Sequence, residues 1–89
     1  DGAVDRRLAD GFRVRLVPSR STAGQTYVII DLPLGRAAPA SSLFIVRADE
    51  MPWKIRLPQP MHGQIQLLAE NSSPLVIGLR DPGAEVFLR

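Results

Sequence analysis

Few side chains in this chain are equipped for chemistry. The single histidine, His62, sits in Pro58-Gln59-Pro60-Met61-His62-Gly63. A general base or a metal ligand there would need converging partners. The chain has no cysteine and no second histidine to supply them, so His62 reads as an exposed turn residue. Ser19, Ser21 and Thr22 offer hydroxyls, and Asp10, Asp31, Asp49 and Asp81 offer carboxylates. No Gly-x-Ser-x-Gly elbow is present to expose a nucleophile, and a β-domain this small rarely encloses a substrate pocket of roughly 300–1,000 Å³. Asp49 and Glu50 are adjacent carboxylates without the spaced acidic pattern of a calcium loop. Asn71-Ser72-Ser73 matches a glycosylation sequon, which matters only in a secretory pathway. The expectation is no catalytic residue, no metal, no cofactor and no enzymatic activity.

Two other groupings stand above this background. The first is cationic. Arg13 and Arg15 fall on the polar side of one alternating segment, and Lys54 and Arg56 on that of another. If the two segments were neighbouring strands, their side chains would form a basic ribbon able to hold phosphates. Sheets that bind nucleic acid add exposed aromatics, whereas Tyr27, Phe44 and Trp53 lie in apolar segments that suit a core, so nucleic acid is the disfavoured ligand.

The second grouping is apolar. Val28-Ile29-Ile30, Leu43-Phe44-Ile45-Val46 and Leu75-Val76-Ile77 place aliphatic or aromatic side chains at successive positions, while one sheet of a sandwich needs only one apolar face. Covering the second face calls for a partner protein, an identical subunit, a short helix or a strongly curled sheet. Val28, Ile30, Phe44, Val46, Leu68 and Val76 are the residues expected on that second face. They make a non-catalytic protein–protein interaction or assembly module, self-associating or docked in a larger complex, the leading functional expectation. A phosphate- or nucleic-acid-binding β-domain using Arg13, Arg15, Lys54 and Arg56 is the alternative.

The elements that must position these residues follow from period and punctuation. Ala3–Asp10 admits one or two helical turns before Gly11, with Val4 and Leu8 on one side. Phe12, Val14 and Leu16 alternate with Arg13 and Arg15 up to Pro18, the two-residue repeat of a half-buried strand. Residues 26–32, 43–47, 53–57, 64–70, 75–80 and 84–89 read as six further strands, with residues 34–40 as a connection between sheets. Residues 53–89 read as a four-stranded antiparallel meander. The fold expected is an all-β, seven-stranded antiparallel sandwich of immunoglobulin-like or Greek-key type, with a small barrel as the runner-up.

Composition sets the outer bounds. At 89 residues the chain supports one domain, 1–89, and its start at Asp1 rather than Met suggests a fragment of a longer chain. Eight Pro and seven Gly, spread along its length, match short strands joined by turns. Ten of the eleven basic residues are Arg, and the net charge of +2 is too mild to imply nucleic acid. No apolar run approaches the roughly 18 residues that span a bilayer, so a soluble domain is expected. Absence of cysteine leans slightly toward the cytoplasm and leaves the compartment unknown.

Overall fold

Strand parity decides the layering of the domain. The computed structural model describes residues 3–8, 11–33 and 42–89. Its elements run β1 (Val4–Arg7), β2 (Arg13–Pro18), β3 (Gln25–Asp31), β4 (Ser42–Val46), β5 (Trp53–Arg56), β6 (Gln64–Glu70), α1 (Pro74–Arg80) and β7 (Glu85–Leu88). One sheet has the order β1-β2-β3-β6 and the other the order β5-β4-β7. All pairings are antiparallel, and neither sheet closes into a barrel. The domain is a small all-β sandwich with one short helix. No helix is long and apolar enough to cross a membrane among the described residues.

The core is built from one parity of each strand. Val14 and Leu16 of β2, Val28 and Ile30 of β3 and Ile65 of β6 meet Leu43 and Ile45 of β4 and Val86 and Leu88 of β7 in a single buried cluster. Phe12, Leu57 and the inner side of α1 complete it. Thr26 is buried with them, and its hydroxyl donates to Oδ1 of Asn71, which ties β3 to the turn after β6. Only the carboxamide oxygen of the sequon residue Asn71 is engaged by this contact, while Ser73 of the same triplet caps α1.

Three expectations about the elements are corrected. The segment 75–80 is helix, not a sixth strand. Ser73 Oγ accepts the Val76 N–H and Pro74 starts the helix, a capping serine followed by a proline that lacks the donor a first turn cannot use. The helix can lie close to β4 because residue 78 is glycine. A Cβ there would fall 2.7 Å from Cγ2 of the buried Ile45.

The second correction is at the N-terminus, where residues 4–7 form an edge strand instead of a helix, with Val4 opposite Leu16 and Arg6 opposite Val14. A helix would have set Val4 and Leu8 on one side. The strand sets Val4 and Arg6 over the core instead. Residues 9–10 lie outside the described residues, as does the connection 34–40.

The third concerns residues 53–89, which are not one meander. β5 and β7 flank β4 in one sheet, while β6 joins β3 in the other. The link after β5 contains Pro58 and Pro60, which cannot donate to a ladder, and it crosses between the layers. α1 carries the chain back to β7. The number of strands is still seven because β1 replaces the segment that became α1.

Candidate functional site

The six residues expected on a second apolar face do not share a surface. Val28, Ile30 and Val76 are fully buried in the core, which corrects their assignment as interface residues. Val28 and Ile30 have the inward parity of β3, and Val76 lies on the inner side of α1. Phe44 and Val46 are half-buried on the outer face of the β5-β4-β7 sheet. Leu68 is exposed on the outer face of the other sheet.

The four cations of the alternative reading are also divided. Arg13 and Arg15 belong to β2 and Lys54 and Arg56 to β5, in different sheets, so no continuous basic ribbon forms. On the outer face of the four-stranded sheet, Arg13 pairs with Asp5, and Arg15 donates to Asp31 at 3.0 Å. Gln64 donates to the same Asp31 at 2.8 Å. The guanidinium of Arg13, through its hydrogen bond above all, holds the Asp5 carboxyl below its ordinary value. Arg13 and Arg15 are thus paired on this face, and Arg7, the register partner of Arg13, is exposed beside them. The same face carries a row of exposed apolar side chains in cross-strand register, Val17, Tyr27 and Leu68.

The outer face of the three-stranded sheet is built differently. Phe44 of β4 and Phe87 of β7 are register partners, and their rings stack with centroids 5.3 Å apart and planes 8° from parallel. Lys54 Nζ lies 6.0 Å from the Phe44 centroid, and the Arg89 guanidinium lies 5.2 Å from that of Phe87. Lys54, Phe44 and Phe87 thus form one transverse row, and Arg56 and Arg89, on either side of Ser42, stand in the next. None of Lys54, Arg56 and Arg89 has a carboxylate within ion-pair distance among the described residues. Glu85, exposed at the end of β7, is the one acidic residue of β4, β5 and β7. Ring edges carry partial positive charge, so rings and cations together make an electropositive surface. Phe87 and Arg89 escaped the sequence reading because a C-terminal strand shows nothing of which strand it will pair with. Their alternation with Val86 and Leu88 was the available signal.

The turn with His62 is a tight one. Met61 and Gln64 exchange backbone hydrogen bonds at 2.8 and 3.0 Å, and His62 and Gly63 both have positive φ, as a type I′ turn requires. The exposed His62 borders a half-open groove of about 720 Å³ that also meets Asp31, Pro58 and Gln64. Asp31 is already engaged by Arg15 and Gln64. Among the described residues no three His, Cys, Asp or Glu side chains converge so as to hold a metal ion.

Asp81, which ends α1, is held through both of its carboxylate oxygens. Its Oδ1 accepts the Gly83 N–H and its Oδ2 the Arg47 Nε–H, both at 2.9 Å, and Arg47 also reaches Glu50. The Gly83 amide first, and Arg47 second, hold the Asp81 carboxyl below its ordinary value of 3.8. A carboxyl whose pKa is depressed by folding stabilises the fold fully above its unfolded value, and that contribution is lost as pH falls through the folded value. The urea midpoint is therefore expected to drop as pH is lowered below about 3.8. Asp81→Asn should flatten that drop, and an unchanged acid limb in this variant would refute the assignment.

No protein-family model, curated protein or solved structure matches this chain.

Proposed function

We propose that the domain is a non-catalytic interaction module that docks an acidic partner protein on the outer face of the β5-β4-β7 sheet. The observation that carries this reading is the stacked pair Phe44 and Phe87 flanked by Lys54, Arg56 and Arg89, whose cations have no carboxylate partner among the described residues. The opposite face supports the contrast, because Arg13 and Arg15 there are paired with Asp5 and Asp31. Self-association through the cationic face is disfavoured, since a twofold contact would set Lys54, Arg56 and Arg89 against their own copies.

Phosphate-bearing ligands are the second reading, favoured by the same three cations. Nucleic acid gains little from the rings, however. Each ring has one face on its neighbour and a cation over it, so neither offers a free π-face to a base. Binding to poly-glutamate is expected, weakening steeply as salt is raised from about 50 to 200 mM. Lys54→Glu combined with Arg89→Glu should weaken it at least about tenfold, the scale of losing charge-assisted contacts, while Arg13→Gln leaves it unchanged. Tighter binding of a single-stranded oligonucleotide than of poly-glutamate would select the second reading. Absence of any binding sensitive to Lys54 and Arg89 would refute both.

A further inference from the structure

The partner's shape follows from β5, an inference that rests on the docking reading above. β5 is an edge strand, paired only with β4 among the described residues. Ser42 and Arg89 exchange backbone hydrogen bonds, so Ser42, Phe44 and Val46 of β4 point their amides and carbonyls at β7. Leu43 and Ile45 therefore bond to Ile55 and Trp53, which leaves the backbone groups of Lys54 and Arg56 aimed at the open edge. The side chains of those two residues stand on the electropositive outer face. On the inner face, in register with the buried Ile45, Trp53 is 45% exposed, an indole on the core side with no strand beyond it at the open edge among the described residues.

We infer that the edge of β5 receives an extended segment of the partner, as an antiparallel fourth strand of this sheet, in which acidic and apolar residues alternate. Acidic side chains opposite Lys54 and Arg56 would complete cross-strand ion pairs on the outer face. Apolar residues between them would cover Trp53 and Ile55 on the inner face. A second copy of the chain does not fit this edge, because β5 paired with β5 would oppose cations to cations, the arrangement that keeps edge strands from self-pairing.

The probe is a short capped peptide of alternating glutamate and valine, compared with an isomer in which the glutamates are clustered. The alternating peptide is expected to shift Trp53 emission to the blue and to slow amide exchange at Lys54 and Arg56 at least about tenfold. The clustered isomer should do neither. In an antiparallel pair, the residues opposite Lys54 and Arg56 exchange both hydrogen bonds with them. N-methylation of the glutamate amides should therefore abolish binding, while N-methylation of the valine amides spares it. On the protein side, Arg56→Pro removes a donor that β4 does not use and should lose the peptide, whereas Arg56→Gln should only weaken it. Equal binding of both isomers, or equal effects of the two N-methylations, would overturn strand addition while leaving an acid-binding face. Failure of every acidic probe would overturn the docking reading as well.

Discussion

Val76→Asp is expected to leave the chain unfolded in dilute buffer, while Ile77→Asp, one residue further on, folds with its stability unchanged. Both side chains are β-branched aliphatics in the same apolar run, and only the geometry of α1 separates them. Val76 is fully buried against the sheets, whereas Ile77 is 43% exposed on the solvent side of the helix. An aspartate in place of Val76 meets Leu75, Leu79 and the strand core with no partner to compensate its charge. The cost of burying it, or of opening the fold to hydrate it, exceeds about 4 kcal/mol, against a total of roughly 5–15 kcal/mol for a domain. At position 77 the change stays within about 0.5 kcal/mol, as for most exposed sites. Circular dichroism and urea titration of the two variants decide the matter. A folded Val76→Asp protein would show that α1 does not pack as described.

The same pair of residues shows how far the sequence reaches. Strands whose outer residues are polar, such as Arg13–Pro18 with its alternating arginines, declare their faces directly, and both core and surface follow from parity. Strands whose outer residues are apolar do not. In β3, Val28, Ile29 and Ile30 look alike, yet 28 and 30 point inward and 29 is half-buried outside, a distinction fixed by the register with β2 and β6. The error at 75–80 has a local cause. A run of Leu, Val and Ile fits a buried strand as well as a short helix, and β-branched residues tilt the choice toward the strand. The Ser73-Pro74 pair was the helix-start signal that outweighed it.

The candidate surface was half legible. Lys54 and Arg56 declared their outward direction by alternating with Trp53 and Ile55, and Phe44 stood out as an aromatic residue. Strand order was hidden, and order is what divides the four cations into a satisfied pair and an unsatisfied one. An arginine next to an aspartate across two strands is a neutral ornament of a sheet. The same residue on a strand whose neighbours are Ser42 and Phe44 keeps its charge available to a partner.

Arg6→Ala is expected to cost about 2–3 kcal/mol, the range for charge-assisted hydrogen bonds that leave their acceptors unpaired. Arg6 is on the core-facing side of β1, opposite Val14, at the edge of the sandwich where β1 and β7 approach without pairing. Its guanidinium spans that gap. Nη1 donates to the carbonyls of Leu79 at 3.1 Å and Asp81 at 2.8 Å, and Nη2 donates to that of Ala84 at 2.8 Å. These carbonyls end α1 and open β7, where the helix dipole also favours a cation. One side chain thus ties the edge of the first sheet to the helix and the last strand. Arg6→Lys keeps the charge but not the fork, so it should recover less than half of the loss. Arg7, its exposed neighbour, makes no such contact, and Arg7→Ala should change stability by less than about 0.5 kcal/mol. Urea midpoints give the ranking, and amide exchange locates the damage. With Arg6→Ala, protection should fall first at α1 and β7, because their carbonyls have lost the donor that fixed them to β1. Equal effects of the two alanine substitutions would mean that the fork contributes nothing, and that pairing with β4 and the packing of Val86 and Leu88 hold β7 in place without it.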